Sequence, residues 1–319
     1  MEVEIKKISV VMCTYNGARF IREQLDSILN QTYPIYELIV QDDCSTDETV
    51  EIVKEYQVRF PQVDIKIYIN EKNLGFNRNF LTAIQKAKGE YIAIADQDDI
   101  WLLNKLEVLL CNIGDNAFIY HNSTVINNQG KEIGLLHKHE FPLISDPLIS
   151  ILYPRSYGHQ ILFRKDVQKW AILFRDENVS YDYLLYSIGC SLTPIRYVPQ
   201  SLVYWRRYET AATYTKNTRK MSKWSGYVKM INALFNVSNR KRTKRFFSLL
   251  SNLSFFDIDS QKAVHKMAQN TILSILSVCF LCLKHRKSIG MKVNTFQSIL
   301  RAFFLPCFFI RDHGRYIIK

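Results

Sequence analysis

Three carboxylates crowd four consecutive positions: Asp96, Asp98 and Asp99, separated only by Gln97, at the end of the apolar run Tyr91–Ala95. Like charges this close repel one another, so a folded chain holds them together at the cost of ionisation unless a cation sits among them. A hard divalent ion with oxygen ligands, Mg²⁺ or Mn²⁺, suits such a site, its other positions going to water and to a substrate diphosphate. The plainer alternative is an acidic turn that caps the next helix. The flanking residues favour the metal, because an apolar strand runs directly into the cluster and Ile100-Trp101 follows it.

The run before the carboxylates is apolar at every position, as in a parallel strand buried on both faces, and open α/β sheets place ligands at the carboxyl ends of such strands. Residues 8–12 form another β-rich strand and turn out through Cys13-Thr14-Tyr15-Asn16-Gly17. Apolar residues then recur at helical spacing over 20–29. A strand over 37–40 ends in Gln41-Asp42-Asp43-Cys44, and Ser45 with Glu48 predicts a capping box for a helix running to about residue 59. A strand over 65–69, a polar turn over 70–77 and a helix over 78–87 complete the alternation. This rhythm predicts a largely parallel sheet covered by helices, with Thr14-Tyr15-Asn16, Asp42-Asp43 and Asp96 to Asp99 converging on one edge. Neither Gly-x-Gly-x-x-Gly nor the P-loop pattern occurs.

In the second half, 101–113 reads as a helix, 118–121 and 123–126 as strands, and Asn127-Asn128-Gln129-Gly130 as a hairpin turn. Residues 135–154 lack periodicity and read as a loop. Strand 160–164 and helix 166–174 follow, and Asp182 falls in the first turn of a helix. Strands over 195–199 and 202–205 end in Arg206-Arg207-Tyr208.

The chain has 319 residues and a net charge of +12. That charge is unevenly spread: residues 216–319 hold 20 Lys and Arg against Asp257, Asp259 and Asp312, whereas the first 215 are mildly acidic. The basic run 239–245 leads into Phe246-Phe247, and Phe303-Phe304 and Phe308-Phe309 lie among Arg301, Arg311 and Arg315. Basic residues beside Phe and Leu suit helices lying on an anionic membrane surface, with a dimerisation or scaffold surface as the alternative. No motif for nucleic acid accompanies the charge, and none is expected to bind. Seven scattered cysteines make no disulfide framework, which points to a reducing cytoplasm. Cys279 and Cys282 lie inside an apolar run and read as packing. The charged residues 1–7 do not resemble a signal peptide, and the longest apolar run, 12 residues over 272–283, is shorter than a bilayer span of about 20.

Four segments, taken in order, resemble the family 2 glycosyltransferases: residues 8–17, then Gln41-Asp42-Asp43-Cys44-Ser45-Thr46-Asp47, then Asn73-Leu74-Gly75 with Arg78-Asn79, then Asp96-Gln97-Asp98-Asp99-Ile100-Trp101. The resemblance is strong over about 8–110, weaker to about 213 and absent beyond. It implies a GT-A fold, an α/β sandwich that binds a nucleoside-diphosphate sugar, with a C-terminal helical extension. Residues 1–110 would be the nucleotide-sugar half, 111–215 the acceptor and catalytic-base half, and 216–319 the basic extension. By position, Thr14, Tyr15 and Asn16 would contact base and ribose, Asp43 the base or the ribose, and Arg78 would face the nucleotide. Asp98 would bind the metal, Asp96 ribose or metal, and Asp99 would support them from behind. Asp182 matches the segment that supplies the catalytic base, with a plain helix cap as the alternative.

The implied reaction is inverting, metal-dependent transfer to a lipid-linked, lipopolysaccharide or capsular glycan at the inner face of a bacterial plasma membrane. The Asp-Gln-Asp-Asp-Ile-Trp variant is similar to the branch holding rhamnosyltransferases and other O-antigen and surface-polysaccharide enzymes. Arg206-Arg207-Tyr208 departs from the family, whose members commonly carry His where Tyr208 stands. Arg206 or Arg207 could clamp the diphosphate instead, and His159 and His121 are candidate substitutes for the missing imidazole. Two alternatives remain open: a metal-dependent nucleotidyltransferase, and a catalytically inactive relative that binds glycan or partners.

Overall fold

The structure, a computed structural model, describes residues 5–138, 141–174, 179–208, 223–289 and 296–312. In chain order the elements are β1 (Ile8–Thr14), α1 (Ile21–Leu29), β2 (Glu37–Asp42), α2 (Thr49–Arg59), β3 (Asp64–Ile69), α3 (Phe76–Ile84), β4 (Tyr91–Ala95), β5 (Ile100–Trp101), α4 (Lys105–Ile113), β6 (Phe118–Ile126) and β7 (Glu132–Leu135). There follow β8 (Ile144–Ser145), α5 (Pro147–Leu152), a 3₁₀ turn (Gly158–Gln160), β9 (Ile161–Arg164), α6 (Lys165–Leu173), α7 (Tyr181–Leu192) and β10 (Ile195–Arg206). Helices alone complete the chain: α8 (Lys223–Phe235), α9 (Val237–Leu250), α10 (Ile258–Gln269), α11 (Ile272–Lys284), α12 (Phe296–Phe303) and α13 (Leu305–Asp312), with a short 3₁₀ turn before α12.

The chain forms two compact units. The first comprises Met1–His139, Ser156–Asp176 and Arg196–Ala212, and the second Glu140–Arg155, Glu177–Ile195 and Thr213–Lys319. In the first, the strands run β3-β2-β1-β4-β9-β6-β10-β5, with β7 on β6. The pairs β1/β2, β2/β3, β1/β4 and β6/β10 are parallel, while β9 is antiparallel to both β4 and β6. All seven residues of β1 are buried, as a strand covered on both faces requires. Leu25 and Ile28 of α1, Ile52 and Val53 of α2 and Leu106 and Leu109 of α4 join Val10, Met12 and Ala93 in one core. Each such Leu or Ile side chain contributes roughly 1.5–3 kcal/mol when fully buried.

Four local expectations change. The capping box at Ser45 and Glu48 does not form; α2 begins at Thr49, Glu48 makes no side-chain capping bond, and the Asp47 carboxylate accepts the Thr49 N–H at 3.1 Å instead. Ser45 is occupied elsewhere, its hydroxyl accepting the Asn16 N–H at 2.9 Å while donating to Asp42 Oδ1 at 2.5 Å. Trp101, expected to open a helix, instead joins Ile100 in a short strand antiparallel to Val203 and Tyr204, so α4 starts four residues later. Each pair of short strands expected at 118–126 and 195–205 is a single strand. In β10 the Pro199 interruption is absorbed as a register shift between Val198 and Ser201, since proline has no N–H to give the ladder. The expected loop over 135–154 contains α5, which starts where the Asp146 carboxylate accepts the Ile149 N–H at 3.1 Å.

The second unit is helical. Tyr183 of α7 stacks on Phe246 of α9 at 4.9 Å, and Phe247 and Phe309 complete the aromatic cluster. Three consecutive helices begin at side-chain caps: Asn236 for α9, Asp257 for α10 and Thr271 for α11. Cys279 and Cys282 are buried on α11. Among the described residues no helix is long and apolar enough to cross a membrane.

Candidate active site

The carboxyl ends of β1, β2 and β4 bring three loops together because these strands are adjacent and parallel. Thr14 ends β1, and its hydroxyl donates to Asp42 Oδ1 at 2.7 Å. Tyr15 is half exposed; Gln97 holds its backbone from both sides, accepting Tyr15 N–H at 2.8 Å and donating to its carbonyl at 3.0 Å. Asn16 adopts a left-handed backbone (φ 48°), which Asn tolerates, and its side-chain oxygen accepts the Thr46 N–H at 2.8 Å. A Cβ on Gly17 would stand 2.3 Å from Gln97 Oε1, so glycine leaves room for the Gln97 clamp.

Asp43 is buried, and its carboxylate accepts Leu74 N–H at 2.7 Å, Gly75 N–H at 2.9 Å and Asn70 Nδ2 at 2.7 Å. It thus shapes the loop that enters α3, where Gly75 takes the positive φ of 77°. Arg78 is exposed in the first turn of that helix.

The short β5–β10 pairing lays Arg206, Arg207 and Tyr208 alongside the acidic loop. Tyr208 donates its hydroxyl to Asp98 Oδ2 at 2.6 Å. Arg206 is 4% exposed; its guanidinium donates to the Asp98 carbonyl at 2.9 Å, the Asn128 carbonyl at 3.3 Å and Glu23 Oε2 at 2.7 Å, and lies 4.4 Å over Phe20. Those acceptors tie the acidic loop to α1 and the β6–β7 turn. Arg207 lies beside it with its guanidinium 4.6 Å over the Trp205 ring.

Behind the loop, Asp99 is buried. One oxygen accepts Arg206 N–H at 3.0 Å, and the other has no hydrogen-bond partner. Burial, followed by the charges of Asp98 and Asp96, pushes the Asp99 carboxyl well above the usual carboxylate range. Burial likewise raises Asp98 against the opposing Tyr208 hydrogen bond. Asp96, Asp99 and His159 each offer a ligand atom within 4.8 Å of the others. Two carboxylates and an imidazole so grouped, with one Asp99 oxygen buried and lacking a partner, fit a divalent cation in chemistry and in spacing.

His159 is buried, and burial pushes its imidazole well below the ordinary value, leaving it neutral with a lone pair to give. His121, the other imidazole considered, is also buried and depressed by burial, but lies outside this cluster. Lys105, which sequence reasoning did not single out, donates to the His159 carbonyl at 2.8 Å and sits 3.4 Å over the Trp101 ring. Its one sequence signal is a lysine flanked by Leu102, Leu106 and Leu109 on the apolar side of its helix. Asp182 lies in the second unit, in the first turn of α7, where it accepts a hydrogen bond from Ser180 and the Tyr183 N–H at 2.8 Å. Burial raises its carboxyl above the usual range.

Residues 9–171 match the family described as Glycosyl transferase family 2, a span of half the chain. The chain belongs to that family. As a glycosyltransferase it is 30% identical over 185 residues, 54% of this chain and 72% of the relative, to the Escherichia coli UDP-Glc:alpha-D-GlcNAc-diphosphoundecaprenol beta-1,3-glucosyltransferase WfgD. It is 26% identical over 278 residues, 79% of this chain and 95% of the relative, to the Shigella flexneri dTDP-rhamnosyl transferase RfbG. The structure of S. aureus TarS 1-349 in complex with UDP superimposes at a TM-score of 0.56 with 17% identity, covering 97% of this glycosyltransferase and 91% of that chain. That likeness establishes the shared GT-A architecture.

Proposed function

We propose that this glycosyltransferase moves a sugar from a nucleoside diphosphate to a hydroxyl of a lipid-linked or other surface-glycan acceptor, with inversion and with a divalent cation. The supporting observation is the buried, unpartnered Asp99 oxygen, clustered with Asp96 and His159 behind the half-buried Asp98. Residues 1–110 bind the nucleotide: Thr14, Tyr15 and Asn16 line the base and ribose, Asp43 fixes the loop beneath them, and Arg78 faces the nucleotide. Asp96 and Asp98 face the diphosphate and its cation. Arg207 takes the phosphate-clamping role, because the Arg206 guanidinium is committed to Glu23 and two carbonyls.

In the transfer, the acceptor oxygen forms a bond to the anomeric carbon as the bond from that carbon to the β-phosphate oxygen breaks. The electron pair leaves with the nucleoside diphosphate, and the acceptor proton passes to the Asp182 carboxylate. When bound, Mg²⁺ or Mn²⁺ neutralises the charge that builds on the departing diphosphate. Residues 111–215 provide the acceptor side.

The two relatives named above carry different donors in their names, UDP-Glc and dTDP-rhamnose. Rhamnosyl transfer is therefore one candidate among nucleotide sugars. A thermal-shift screen of UDP-, dTDP- and GDP-sugars with and without Mn²⁺ is expected to single out one nucleotide, with a shift that grows with the ion. A screen with no shift for any nucleotide would leave the inactive, glycan-binding alternative. Release of pyrophosphate instead of a nucleoside diphosphate on turnover would identify a nucleotidyltransferase.

We further propose that residues 216–319 rest on the anionic inner face of the plasma membrane. Leu273 and Phe280 of α11 and Phe296 of α12 are exposed, in a segment rich in Lys and Arg. The protein is expected to co-sediment with anionic vesicles and to lose them as salt screens the charge. Equal recovery on neutral vesicles at low salt would reject the electrostatic contact.

A further inference from the structure

We propose that His159 is itself a ligand of the cation, its Nδ1 joining carboxylate oxygens of Asp96 and Asp99. This rests on the cation-assisted reading above and departs from the Asp96–Asp98 pair that the resemblance implies, by making Asp99 a ligand in place of a supporting group and by adding a nitrogen donor from a remote segment of the chain.

The geometry carries it in three ways. His159 Nδ1 stands 3.9 Å from Asp96 Oδ2. That is too long for a hydrogen bond, for which about 2.7–3.2 Å is usual. Yet two atoms that share one ion at bond lengths of about 2.0–2.2 Å stand roughly 3–4 Å apart. Next, the far side of the ring is fixed as a metal-bound imidazole usually is: His159 Nε2 lies 3.0 Å from Ser123 Oγ, and an Nε2–H donated there leaves the Nδ1 lone pair facing Asp96. Ring orientation is locked as well, by Trp205 at 5.1 Å and Tyr157 at 6.3 Å, both nearly parallel to it, and by Lys105 on the His159 carbonyl. Finally, the third member is Asp99, buried, with one carboxylate oxygen that no hydrogen bond satisfies. A buried acceptor left in that state is unfavourable, and an ion bound there offsets that cost.

A nitrogen ligand among oxygens biases the site towards Mn²⁺ and later first-row ions over Mg²⁺ and Ca²⁺. The experiment uses the full chain with Mn²⁺ alone, no nucleotide present, and reads nitrogen hyperfine coupling on the bound ion by pulsed EPR together with the Mn²⁺ dissociation constant. Wild-type protein is expected to show coupling from a directly bound imidazole. His159→Phe, which keeps an aromatic ring against Tyr157 and Trp205, is expected to lose that coupling and to bind Mn²⁺ about ten-fold or more weakly. Absence of saturable Mn²⁺ binding in wild type, bound Mn²⁺ without nitrogen coupling, or coupling that persists in His159→Phe would each overturn the assignment. The wild-type spectrum decides the matter even if the variant does not fold. Sugar transfer without nitrogen coupling would sink this inference alone, and coupling without any transfer would sink the proposed function alone.

Discussion

Asp98→Ala is expected to lower turnover of the matched sugar nucleotide by about 10³-fold or more, with the fold intact by circular dichroism. Removing a single preorganised group that stabilises charge developing on a leaving atom typically costs 10²–10³ in rate, and a lost or displaced cation costs several kcal/mol more. Asp98 is placed for this role, because its backbone carbonyl is held by Arg206 at 2.9 Å and its carboxylate by Tyr208 at 2.6 Å. Truncation also leaves the Tyr208 hydroxyl without that acceptor, so Tyr208→Phe is the control: it removes the hydrogen bond while keeping the carboxylate. Quantifying nucleoside diphosphate release over time checks both. Near-normal turnover in Asp98→Ala would remove the acidic loop from the chemistry, whereas a fall of equal size in Tyr208→Phe would mean that the bond, and not the carboxylate, is what turnover requires.

The alternation of apolar runs with helical patterns carries the order from β1 to β4, since strands covered on both faces are nearly continuous apolar stretches and the helices between them have a clear period. Asp96, Asp98 and Asp99 announce themselves in the sequence because three carboxylates within four positions repel unless a cation sits among them. Other parts are invisible locally because they are settled by distant partners. Ser45 leaves its capping position for Asn16 and Asp42, contacts 29 and 3 residues away. Ile100-Trp101 becomes a strand only because β10, a hundred residues later, runs beside it. Arg206 reads as a phosphate clamp on charge alone, but Glu23, 183 residues away in sequence, takes its guanidinium. The placement of His159 beside Asp96 is likewise a long-range event, made by the turn before β9 and without a spacing motif to reveal it.

Asp182→Asn is expected to lower turnover by roughly 10²- to 10⁴-fold, the usual contribution of a positioned general base, while leaving the donor-induced thermal shift unchanged. The substitution is nearly isosteric, and an amide oxygen can still accept the Tyr183 N–H that the carboxylate accepts at 2.8 Å, so α7 keeps its first turn. What disappears is the capacity to take a proton. Burial raises the Asp182 carboxyl, with the Ser180 and Tyr183 hydrogen bonds opposing it. A base must be ionised to act, so turnover should rise with pH through a limb that lies above the ordinary carboxylate range, and Asp182→Asn should flatten that limb. The sign follows from desolvation, which penalises the charged form and so shifts ionisation to higher pH. A residue that only helps start the helix would instead leave both the turnover and the pH limb in place, since the amide keeps the Tyr183 N–H satisfied. If Asp182→Asn binds donor normally and turns over near the wild-type rate, the proton goes elsewhere and Asp182 reverts to a helix cap.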